Sequence, residues 1–69
     1  MGLKETMQRV GRNVRKARNN QKITQEQMRD LGFNYRYYQK IEAGEVNVTL
    51  DTLVKLSRAL KCPITNFLK

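Results

Sequence analysis

Apolar side chains recur every three or four residues along this chain, and that spacing admits little besides packed helices. In the first segment Leu3, Met7, Val10, Val14 and Ala17 follow one another at steps of four, three, four and three. On a helix they form one stripe, with Lys4, Arg9, Arg12, Arg15 and Lys16 on the other faces. Gly11 interrupts the segment, a weak helix former that permits close packing. The pattern ends near Asn19-Asn20.

Local signals divide the remainder. Thr24 and Gln27 stand three apart and complete a capping box, with Ile23 and Met28 spaced close to a hydrophobic staple. Met28 and Leu31 are the expected buried residues of this short second helix, and Gly32 is its C′ residue. Asn34 caps a third helix that Gly44 ends, with Tyr38 and Ile41 facing inward. Thr49 caps a fourth, with Asp51 in its first turn and Leu50, Leu53, Val54, Leu56 and Leu60 as its apolar face. Pro63 opens a last short helix carrying Ile64, Phe67 and Leu68. The expected helices cover about 4–19, 25–31, 35–43, 50–60 and 63–68. They form a single domain spanning 1–69, since no linker, repeat or low-complexity stretch divides the 69 residues. Val46-Asn47-Val48 alternates but is too short to build a sheet.

Stability must come from this helix packing, helped by any partner subunit. One cysteine, Cys62, and no histidine rule out an internal disulfide and argue against a zinc site. The lone thiol reads as a small buried apolar group in a reducing, cytoplasmic setting. No apolar run reaches transmembrane length, and the N-terminus lacks the apolar stretch of a signal peptide. No P-loop, no nucleophile motif and no acid pair at a working distance is present, so no enzyme, cofactor or small-molecule ligand is expected.

Charge points to a partner. Fourteen Lys/Arg face six Asp/Glu, a net of +8. Residues 1–40 hold ten bases and three acids, whereas 41–69 hold four and three. Such asymmetry draws in a polyanion, either nucleic acid or an anionic membrane surface. Four of the five aromatics, Phe33, Tyr35, Tyr37 and Tyr38, cluster in the same half at the start of the third helix. Surface tyrosines there can reach phosphates or bases.

The second and third helices, joined by Leu31-Gly32-Phe33-Asn34, have the layout of a helix-turn-helix. Around them run Val10-Gly11, Val14, Arg18, Ile23-Thr24-Gln25-Glu26, Met28, Leu31-Gly32, Ile41-Glu42-Ala43-Gly44, Thr49-Leu50-Asp51-Thr52-Leu53, Leu56 and Ala59-Leu60. From about Val10 to Leu68 this series resembles the Cro/C1-type (XRE) helix-turn-helix family, which includes phage repressors and restriction–modification controller proteins. The resemblance implies an all-α, five-helix, lambda-repressor-like DNA-binding domain. It further implies a homodimer on a near-palindromic operator, with the third helix in the major groove. One departure stands out. The family places nine steps between the Thr-like cap and the turn glycine, with a small residue after the Met28 position. Here Thr24 to Gly32 is eight steps, and Arg29 follows Met28.

Under this reading Asn34, Tyr35, Arg36, Gln39 and Lys40 meet base edges. Arg36 leads, because a guanidinium can bond guanine O6 and N7 together; a phosphate contact is its alternative. Gln39 suits adenine, and Lys40 either a base or a phosphate. Thr24 and Gln25, at free N–H groups of a helix start, are phosphate candidates, as are Tyr37 and Asn47. The resemblance pairs Arg18 with Glu42 as an architectural ion pair, with Arg18 also leaning toward a phosphate. Leu60, Ile64, Phe67 and Leu68 serve either a dimer contact or closure of the monomer core. Two competing functions remain: a protein-bridging adaptor on the same scaffold, and a cationic amphipathic membrane segment at residues 1–18.

Overall fold

A computed structural model describes residues 2–69. Among these there are three α-helices, two short 3₁₀ helices and no strand. Helix α1 spans Leu3–Asn20, α2 spans Tyr35–Ala43 and α3 spans Leu50–Leu60. The 3₁₀ helices occupy Glu26–Arg29 and Ile64–Phe67. No helix among the described residues is long and apolar enough to cross a membrane.

The five expected helices are thus three α-helices and two 3₁₀ turns. In the second segment the N–H groups of Met28, Asp30, Leu31 and Gly32 all reach back three residues, to Gln25, Gln27, Met28 and Arg29. The segment has one residue fewer than the family spacing. A 3₁₀ turn rises about 2.0 Å per residue against about 1.5 Å in an α-helix, so this winding carries the chain further per residue. The capping box forms: the Gln27 N–H donates to Thr24 Oγ1 at 3.1 Å, and the Thr24 N–H to Gln27 Oε1 at 2.8 Å.

Ten of the described residues form the core: Val10 and Val14 of α1, Met28, Phe33, Tyr38 and Ile41, Leu53, Leu56 and Leu60 of α3, and Phe67. Leu31, expected inside, is 41% exposed. Phe33 is buried instead, its N–H bonded to Met28 O and its ring edge-on to Tyr38 at 5.8 Å. Gly32, at φ 95°, makes the reversal that swings Phe33 inward. Lys55 pins this turn, donating to Gly32 O with its ammonium over the Phe33 ring.

Leu50 and Val54, also expected inside, are exposed. The α3 stripe that meets the core is Leu53, Leu56 and Leu60; Leu50 overhangs at the first turn and Val54 lies about 100° around the axis. Leu60 and Phe67 are fully buried and close the monomer core, which removes them as dimer contacts. Leu68 is exposed and Ile64 half-buried. Cys62 is half-buried against the core, and burial raises its thiol pKa.

Candidate nucleic-acid interface

Helix α2 owes its limits to its two end residues. The Asn34 side chain accepts the Tyr37 N–H at 2.9 Å and starts the helix. Gly44, at φ 73°, stops it; the Gly44 N–H bonds Ile41 O and the Glu45 N–H bonds Lys40 O. Tyr38 and Ile41 anchor the inner face. Asn34, Arg36, Gln39 and Lys40 are exposed, while Tyr35 and Tyr37 are half-buried.

A buried ion pair holds this helix against α1. Arg18 Nε donates to Glu42 Oε2 at 2.6 Å and Arg18 Nη2 to Glu42 Oε1 at 3.2 Å. Arg18 Nη1 reaches Ile23 O at 2.7 Å. The pair ties the end of α1, the following loop and α2 together. Hydrogen bonding to Glu42 outweighs burial and raises the Arg18 pKa. Burial alone would raise the Glu42 pKa; the bonds from Arg18 and its neighbours more than offset this and hold it below the ordinary value. The Tyr38 hydroxyl is buried beside the pair without a hydrogen-bond partner. Burial first, then the adjoining carboxylate, pushes its pKa far up.

The network has consequences for the phosphate candidates. All three Arg18 nitrogens are bonded within the protein and the residue is 8% exposed, so it is an architectural residue with little left to offer a phosphate. The Gln25 amide donates to Glu42 Oε1 at 2.9 Å, and the Gln39 amide lies 3.5 Å from Gln25 Oε1. Gln25 therefore bridges the ion pair to the outer face of α2. The Thr24 and Gln27 N–H groups, expected to be free for an anion, are occupied by their own capping box.

Thr24, Gln25 and Tyr35 border an open cleft with Arg15, Asn19 and Lys22, and Glu26 adds one negative charge. The structure thus brings Thr24, Gln25, Tyr35 and Gln39 into one neighbourhood. Asn47 lies apart, exposed, beside a groove lined by Leu3, Met7 and Leu53. No local pattern in the sequence selects Arg15 or Lys22 for this surface, and Arg29 stands out there only as a departure from the family spacing. Arg29 sits with its guanidinium carbon 5.7 Å from the centre of the Tyr35 ring.

A short helix capped at both ends, fixed by a buried ion pair and bare on its outer side, is the second half of a helix-turn-helix DNA-binding domain. The helix-turn-helix family profile matches residues 14–67, and the chain belongs to the Cro/C1-type (XRE) family of DNA-binding transcriptional regulators. It is similar to the control protein C.SmaI of Serratia marcescens, with 36% identity over 69 residues, covering 99% of this chain and 79% of the relative.

Proposed function

We infer that the protein is a non-enzymatic, sequence-specific regulator, acting as a repressor, that inserts α2 into the major groove of a near-palindromic operator as a homodimer. The observation that carries this is the division of α2. Tyr38 and Ile41 are locked in the core, while Asn34, Arg36, Gln39 and Lys40 stand uncovered beside the cationic half of the chain. Side chains at the start of such a helix face base edges in this docking mode. Arg36 reads guanine, Lys40 and Gln39 follow one turn on, and Asn34 and Tyr35 border the first base pairs. The Thr24 hydroxyl, in place of its occupied N–H, and the side chains of Gln25, Tyr37 and Asn47 contact the sugar-phosphate strands. The likeness to a protein named for control favours a role in gene regulation.

Selection of bound sites from a random duplex pool tests the reading. The expected product is one near-palindrome with half-sites about one helical turn apart. Affinity for it should fall with log salt at a slope of about −0.9 per phosphate neutralised. Equal affinity for every duplex would overturn sequence-specific regulation and favour the adaptor.

A further inference from the structure

Arg29 ends the first 3₁₀ turn, just before the reversal into α2. It is exposed, and its side chain forms no ion pair or hydrogen bond with another described residue, although Asp30 adjoins it. Its guanidinium lies over the ring of Tyr35, the first residue of α2, and the residue also borders a shallow concavity with Glu26, Gln27 and Asp30. Tyr35 is half-buried and also borders the cleft that holds Arg15 and Lys22. A guanidinium held over a ring by a cation–π contact is restrained in position while its N–H groups remain free. Here those donors are left for an acceptor outside the protein. In the docking mode of this fold, the element preceding the recognition helix crosses the DNA backbone. A planar fork of donors at that place matches phosphate oxygens.

We propose that Arg29, held on the face of Tyr35, is a phosphate-binding residue of the interface, and that Tyr35 positions it. The proposal rests on the duplex-binding reading above. It assigns a use to the bulky residue found where the family carries a small one. In the 3₁₀ winding this side chain lies at the surface, with no need to fit between two close helices.

The test is a binding cycle on the full chain, read by fluorescence anisotropy at several salt concentrations. The probes are the duplex recovered by selection and a scrambled duplex. Arg29→Ala should weaken both by roughly tenfold, the size of one charge-assisted bond, and make the salt slope shallower by about 0.9. In a Tyr35→Leu background the same substitution should cost less than about threefold, because the guanidinium is no longer placed. Tyr35→Phe keeps the ring and should keep the full effect of Arg29→Ala. Circular dichroism melting checks that each variant folds. An equal loss in the Tyr35→Leu background and in wild type would overturn the coupling. An unchanged slope, or a loss confined to duplexes altered at one base pair, would overturn the phosphate contact. Failure of the wild-type protein to bind either duplex would overturn the underlying reading as well, and is distinguishable because it precedes any substitution.

Discussion

Gly11 of α1 lies so close to Ile41 of α2 that a Cβ on the glycine would stand 2.5 Å from the Ile41 carbonyl oxygen. The Glu42 carbonyl oxygen would be 2.7 Å away. Both obstacles are backbone, so no rotamer change relieves them. The glycine weakens α1 locally, by about 1 kcal/mol relative to alanine. In return it lets α1 touch the backbone of α2 directly.

Gly11→Ala should therefore destabilise the fold despite the better helix propensity. The expected net loss is about 1–3 kcal/mol, the cost of forcing a methyl into a packed contact. Urea unfolding followed by circular dichroism measures it. A more stable variant would mean that α1 can move off α2 freely. Operator affinity should fall too, since the shift passes directly to α2.

The Arg18–Glu42 pair sets an acid limit on stability. The folded pKa of Glu42 lies below its ordinary value of 4.5, so the unfolded chain takes up the proton first as pH falls. The pair's contribution is complete well above pH 4.5 and is lost as pH drops through the folded pKa. Glu42→Gln should lower stability at neutral pH, by about 3 kcal/mol or more for a buried charge left without its partner. It should also flatten the fall of stability in acid. Unfolding curves between neutral pH and acid show both effects, and identical acid slopes for the two proteins would refute the assignment.

The Tyr38 hydroxyl makes the opposite prediction. It is buried and unpaired, so it carries a desolvation cost with no bond to offset it. Tyr38→Phe keeps the ring and its edge contact with Phe33. It should leave stability unchanged or raise it by up to about 1 kcal/mol. A loss above about 1 kcal/mol would show that the hydroxyl supports Glu42 or Arg18 in solution.

These contacts show which parts of the molecule are legible in the sequence. The ends of α2 are, because Asn34 and Gly44 each perform a local task that few residues can. The capping box at Thr24 and Gln27 is legible for the same reason. The winding of that segment is not: α and 3₁₀ coils of four residues share the same capping and apolar signals, and the sequence does not separate them. Periodicity identifies the inner face of α3 but not where the core stops, so it places Leu50 and Val54 inside when both are exposed. Arg18 and Glu42, 24 residues apart, are linked in the sequence only through a family resemblance. The cation–π contact of Arg29 with Tyr35 and the bridge from Gln25 to Glu42 join separate elements, and no local pattern reveals them.

Arg36 offers the sharpest test of how DNA is read. It sits on the first turn of α2, exposed, on the side away from Tyr38 and Ile41. No hydrogen bond or ion pair with another described residue occupies its guanidinium, unlike that of Arg18. Arg36→Ala should thus leave stability within about 0.5 kcal/mol of wild type, as for an ordinary surface position. Its effect should appear in binding. A bidentate bond to guanine is worth about 1–3 kcal/mol of discrimination, so the preference at one base pair of each half-site should drop by roughly fivefold to 150-fold. Competition binding against the four possible base pairs at each position would show it. If Arg36 touched a phosphate instead, every duplex would weaken alike and the salt slope would fall by about 0.9. The two outcomes differ in kind, because a base contact alters which duplex is preferred and a phosphate contact alters only how tightly all of them are held.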